Sequence, residues 1–203
     1  MCKKILLTGF EPFLQYTINP TMEIVEGLAD SVIGDHRIVS SVLSVDFQQA
    51  GKQLLRQIET TKPDVIVSLG LAGGRYKITP ERIAINVNDG PKDNQGYQAE
   101  NEVIDQGGAD GLFTTLPINQ MVKQLKEQGL PAEISNTAGT YLCNHVMYQG
   151  LHYAKSHHLN LPAGFIHIPA SHQLAIEHGN LPSWSQADLT RAVTICLQTL
   201  SEV

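Results

Sequence analysis

Long apolar runs, clustered basic charge and paired cysteines are all missing from this chain, and each absence removes a class of function. Behind Lys3-Lys4 the apolar stretch Ile5-Leu6-Leu7 stops at Thr8-Gly9, too short for the core of a signal peptide or for a membrane span. No membrane partner is expected, and the protein is expected to stay in the cytoplasm. Lys and Arg number 14 against 20 acidic residues, for a net charge of -6, and nowhere form a basic run. Nucleic acid is therefore not an expected partner. Cys2, Cys143 and Cys196 are an odd number without metal-ligand spacing, which argues against a disulfide framework and suits a reducing compartment where a free thiol persists. The 203 residues can bury one full core, so a single domain over 1–203 is expected.

What is present is an alternation of short β-rich runs with helical patterns. Segments 3–8, 37–45, 64–69, 82–87, 132–135 and 164–168 read as strands. Segments 21–31, 47–60, 118–128, 142–156 and 186–200 read as helices, with Pro20 and Pro117 near helix starts and Gly129 as a C-terminal stop. The order predicts an α/β fold, a three-layer α/β/α sandwich around a largely parallel, mixed sheet whose ligand crevice lies beyond the carboxyl ends of the strands. The polar segment 88–111, rich in Gly, Asn and Asp, has neither period and reads as a long excursion from the core.

Three residues stand out chemically. Cys143 follows the polar run Asn136-Thr137-Ala138-Gly139-Thr140 and opens a helical pattern. A helix N-terminus stabilises an anion, and a thiol pKa there can fall from about 8.5 toward the range of about 3.5–7.5. Buried cysteine is also an ordinary small apolar filler. A thiolate nucleophile needs a base that can protonate the leaving group. His167, in Gly164-Phe165-Ile166-His167-Ile168-Pro169, ends a buried strand and can face the crevice, although a satisfied core histidine has the same pattern. His145 lies two residues from Cys143 on the same helix and should point away from it. His152, His157 and His158 belong to the end of that helix, and His36, His172 and His178 look like loop residues. The carboxylate that would orient the imidazole is Glu81, rigidified by Pro80 just before a β run. Its bland alternative is a surface ion pair with Arg82.

Four ordered blocks join these residues into one pattern: Thr8-Gly9-Phe10-Glu11-Pro12-Phe13 with Asn19-Pro20; Gly70-Leu71-Ala72-Gly73-Gly74-Arg75 with Pro80-Glu81-Arg82-Ile83-Ala84-Ile85-Asn86; Ser135 to His145; and Gly164 to Pro169. Together they closely resemble the pyroglutamyl peptidase I, or pyrrolidone-carboxylate peptidase, family of cysteine peptidases. The resemblance implies an α/β/α sandwich, a homo-oligomer that is often a tetramer, no cofactor and no metal. It also implies small peptides with N-terminal pyroglutamate as substrates, cleaved by a Glu81, Cys143 and His167 triad through an acyl-enzyme.

The same resemblance implies an apolar slot in which Phe10 and Phe13 sandwich the lactam ring, with Val45 and Leu142 as walls. Backbone groups near Leu71 would meet the lactam amide, and Asn19 would hold the loop in shape. A charged α-ammonium entering such a slot would lose hydration without compensation, at a cost of several kcal/mol. The amide of Cys143 is the natural oxyanion donor, worth about 2.7–4 kcal/mol. Where the family commonly has Ala-Arg-Ile-Pro-Asp-Asn, this chain has the shorter Asp89-Gly90-Pro91-Lys92-Asp93-Asn94, with Lys92 as the residue to replace the lost positive charge. Leu71 stands where the family often has Gln, and Leu14 where it usually has Gly.

Two other readings use the same residues. A glutamine amidotransferase would place its cysteine in a Gly-flanked elbow, which Leu142-Cys143-Asn144 does not offer. A lactam- or peptide-binding relative without turnover would keep the slot and lose the chemistry.

Overall fold

In the computed structural model, which describes residues 3–202, the central sheet grows from two buried parallel strands. These are β1 (Lys3–Phe10) and β4 (Val65–Leu71), flanked by β3 (His36–Leu43) and β8 (Ala163–Ile168). All seven residues of β4 and all six of β8 are buried, as expected for parallel strands covered on both faces. The short strands β2 (Val32–Ile33) and β5 (Thr79–Pro80) add antiparallel edges, giving the order β2-β3-β1-β4-β8-β5. Cys2 lies outside the described residues.

Helices α1 (Pro20–Gly27), α3 (Ile118–Glu127) and α6 (Gln186–Gln198) share one core with one face of the sheet. The other face packs against α2 (Ala50–Thr61) and α4 (Leu142–Ser156) through a second core. These two cores are the two interfaces of an α/β/α sandwich. Local chemistry explains the boundaries. Asn19 caps α1 by accepting from Thr21 N, and Pro20 occupies the first helical position.

Several expectations need correction. Strand β1 continues through Gly9 to Phe10, where a loop was expected. Gly9 permits this because a Cβ there would lie 2.8 Å from the carbonyl oxygen of Thr21, against which the strand packs. The expected strand 82–87 shortens to β6 (Ile83–Ile85), which forms a separate hairpin with β7 (Gly111–Phe113), whereas the residues just before it, β5, join the main sheet. Segment 132–135 makes only isolated bridges, Ile78 with Ala132 and Glu81 with Ser135, because Pro80 between them has no N–H to continue a ladder. His36 is the first residue of β3 and is buried. His172 and His178 begin and end α5 (His172–His178). This helix lies between β9 (Ala170–Ser171) and β10 (Ser183–Trp184), which pair in parallel.

Candidate active site

The site forms where β4 and β8 end. His167 is the cross-strand partner of Gly70 on one side and of Thr79 on the other. Glu81 follows β5, where its amide donates to the carbonyl of Phe165 at 2.9 Å and its side chain is fully buried. The carboxylate thus meets the imidazole edge-on: His167 Nδ1 and Glu81 Oε1 are 2.7 Å apart. Arg82 is not the partner of Glu81. It turns outward to donate from Nε to Asn136 Oδ1 at 2.7 Å.

The cation beside Glu81 is Arg75, from the turn after β4. Its Nη1 donates to Glu81 Oε1 at 2.6 Å and to Thr79 Oγ1 at 2.7 Å, and its Nη2 to the carbonyl of Thr137 at 3.1 Å. The need for it follows from burial, since a carboxylate removed from water requires a countercharge. Burial pushes the Glu81 carboxyl up, but bonds and charges from His167, Ser135 and Arg75 outweigh it and hold the group below the usual range. Burial, with Arg75 adding its repulsion, pushes His167 below its ordinary value while Glu81 opposes the shift. A charged carboxylate and a neutral imidazole are the resting forms that result at neutral pH.

Cys143 is the second residue of α4 and is half-buried. The helix starts from Tyr141 in an extended conformation with no side-chain cap, which leaves first-turn amides without the usual capping acceptor. A Cβ at Gly70 would stand 2.8 Å from Cys143 Sγ and 2.6 Å from the Phe165 ring. Only a glycine lets the sulfur lie against the sheet at the level of His167. No hydrogen bond joins sulfur and imidazole among the described residues. The expected low thiol pKa is overturned: burial first, then the Glu81 charge, push Cys143 up to about 12, against opposition from Arg75 and its own amide. Desolvation of the whole thiol exceeds what one helix end returns.

Beside the sulfur is a narrow cleft with a cavity volume of about 20 Å³, lined by Phe10, Phe13, Asn19, Val45, Leu71, Tyr141, Leu142 and Cys143. Asn19 Nδ2 also donates to the carbonyl of Glu11 at 3.1 Å, tying down the turn that carries Phe13. Tyr141 is the lining residue that sequence reasoning missed, although it directly precedes the apolar Leu142. Its hydroxyl donates to the carbonyl of Lys92 at 3.2 Å. Lys92 itself is exposed, and the cation whose charge bears on the sulfur is Arg75. The shortened loop instead closes the rim of the cleft. Asn94 donates through its backbone to the carbonyl of Val45 and through its side chain to Glu11 Oε1 and the carbonyl of Pro12. His145 faces away from this cleft, as expected, with Nδ1 3.0 Å from Asn88 Oδ1.

Among the described residues no group of three or more His, Cys, Asp or Glu is placed to hold a metal ion, and no helix is long and apolar enough to cross a membrane.

Comparison with known proteins agrees over nearly the full length. The chain is 56% identical to the pyrrolidone-carboxylate peptidase of Oceanobacillus iheyensis, over 98% of this chain and 99% of that protein. It is 59% identical to that of Lysinibacillus sphaericus, over 96% and 95%. A mutant pyrrolidone carboxyl peptidase from the hyperthermophile Pyrococcus furiosus superposes with a TM-score of 0.95 at 41% identity, covering 98% of this chain and 99% of that one. The enzyme from Thermococcus litoralis gives 0.93 at 38%, covering 97% and 92%. The sequence profile described as pyroglutamyl peptidase matches residues 3–203, and the chain belongs to that family.

Proposed function

We propose that this chain removes N-terminal pyroglutamate from peptides, with Cys143 as nucleophile, His167 as general base and acid, and Glu81 as the carboxylate that orients the imidazole. The activity is that of its family. The observation that carries the residue roles is the 2.7 Å His167–Glu81 bond beside a sulfur seated on Gly70. With Nδ1 engaged by Glu81, Nε2 is the ring nitrogen free to exchange protons. A neutral imidazole and a neutral thiol favour proton transfer at the moment of attack over a standing ion pair.

The reaction then runs in two halves. The Cys143 proton passes to His167 as sulfur attacks the pyroglutamyl carbonyl. The resulting oxyanion meets the amide of Cys143 at the uncapped start of α4. As the C–N bond breaks, His167 returns the proton to the departing amine and leaves a thioester. Water, deprotonated by His167, attacks that thioester, and pyroglutamate leaves as the thiol is restored. Lys92 is proposed only as a distant contributor of positive charge.

Phe10, Phe13, Val45, Leu71 and Leu142 form the slot for the lactam ring, with Asn19 holding its entrance. Burial favours the uncharged ring, because an ammonium finds no counter-ion among these walls. The free thiols of Cys143 and Cys196 support a cytoplasmic location, and the family resemblance supports a single catalytic domain assembling as a homo-oligomer, a tetramer in its common form. Hydrolysis of a chromogenic pyroglutamyl amide tests the reading. Cleavage by the native chain and none by Cys143→Ser is expected. Binding without cleavage by the native chain would instead identify a relative that has kept the slot and lost turnover.

A further inference from the structure

We propose that Arg75 is a positioning residue of this site, locking the Glu81 carboxylate to the turn that feeds the nucleophile's helix and so holding His167 in place as a base. The inference rests on the Cys143–His167–Glu81 reading above. Two segments distant in sequence meet on one guanidinium. Nη1 reaches Glu81 Oε1 and Thr79 Oγ1, and Nη2 reaches the carbonyl of Thr137, five residues before α4 begins. Thr79 is in turn the cross-strand partner of His167, and its hydroxyl lies 3.5 Å from the carbonyl of that residue.

The division of contacts on Glu81 makes the lock specific. Oε1 accepts from both Arg75 and His167, at 2.6 and 2.7 Å, whereas Oε2 is buried without a hydrogen-bond partner. Arg75 is the second donor on the oxygen that His167 uses, so its loss frees the carboxylate to rotate, and a rotated carboxylate would no longer define the ring's orientation. A planar fork can hold the carboxylate and the Thr137 carbonyl at once; a lysine ammonium, a single point of charge, cannot span both. The charged groups that act on His167 among the described residues are Glu81 and Arg75. The positive charge of Arg75 opposes a second positive charge on the ring, so it also favours the form that accepts a proton.

The test separates orientation from charge by pH profiles of kcat and kcat/KM on a pyroglutamyl amide. Arg75→Gln is expected to lower kcat about 10- to 100-fold with KM within about twofold. It should also move the acid limb of kcat/KM to higher pH, because the imidazolium loses a repelling neighbour. Arg75→Lys is expected to keep the limb near its native position while kcat still falls. A native kcat in both variants, a loss carried by KM, or a limb that stays in place in Arg75→Gln while only the melting temperature falls, would overturn the proposal. If Arg75→Gln does not fold, Arg75→Lys decides alone: native kcat or a displaced limb refutes it. Cys143→Ser and His167→Asn run in parallel. Full activity in either would reject the triad, whereas their inactivity beside unaffected Arg75 variants would reject only the role of Arg75.

Discussion

Two buried imidazoles lie near the start of α4, in surroundings that differ in one respect. His145 and His167 are 6% and 5% exposed, and burial pushes both toward the neutral form. Around His145 are the Asn88 carboxamide at 3.0 Å and the edge of Phe47, whose ring centroid is 6.0 Å away. Around His167 are a carboxylate and a guanidinium. An uncharged acceptor can fix a ring but cannot stabilise an imidazolium, so His145 falls to about 4 and packs as a structural group. Glu81 opposes the same desolvation at His167 and gives its imidazolium a countercharge that His145 lacks. Burial alone makes a core histidine; burial beside a charge makes a base.

Exchanging the residues tests this contrast most directly. Cys143→Ser and His167→Asn should each reduce turnover of a pyroglutamyl amide by about 10⁴-fold or more, whereas His145→Gln should leave kcat within a few fold. Glu81→Gln, which keeps shape and removes charge, should cost about 10³-fold, and steady-state kinetics on folded protein would check all four. Comparable losses at His145 and His167 would erase the distinction between them.

The titrations sharpen it. With the thiol pushed up to about 12, alkylation of Cys143 by iodoacetamide should speed up about tenfold per unit between pH 7 and 10, and substrate should slow it. A rate independent of pH over that range would show a thiolate already formed. The acid limb of kcat/KM should lie below the ordinary histidine value near 6.5, in line with the direction of the His167 shift.

His145 should register in stability instead of rate. Its folded pKa is depressed, so the unfolded chain binds the extra proton more readily. The contribution is complete above about pH 6.5 and is lost as pH falls toward about 4, amounting to about 3 kcal/mol in all. Urea melts at pH 7.5 and 4.5 should show this loss in the native chain and a smaller one in His145→Gln. The smallest expected effect lies at the turn after Phe13. Leu14 holds a left-handed φ of 53° and is 49% exposed, so Leu14→Gly should raise stability by about 1 kcal/mol, read from the melting temperature.

Much of this was legible in the chain. Helix α4 spans the same residues, 142–156, that its apolar period and the preceding polar turn delimit. Glu81, Cys143 and His167 stood out because a thiol nucleophile demands those residue types, and Glu81 and His167 do meet. Arg75 did not stand out, since its local context is an ordinary Gly-Gly-Arg turn and the need for its charge arises only once Glu81 is buried. Segment 132–135 has strand composition but meets a neighbour interrupted by Pro80, and no local pattern records which segment will be the neighbour.

Periodicity, caps and turn residues settled the longer helices and the central strands, because those depend on contacts between residues close in sequence. The charge states of the site depend on packing. Thiol, imidazole and the carboxylate with its guanidinium come from three separate stretches of chain. Which of them share a dry interior, and hence whether Cys143 rests as thiol or thiolate, follows from desolvation and from charges that the fold brings within a few ångströms. A helix end raised the expectation of a thiolate; desolvation of the half-buried Cys143, with the Glu81 charge beside it, reversed it.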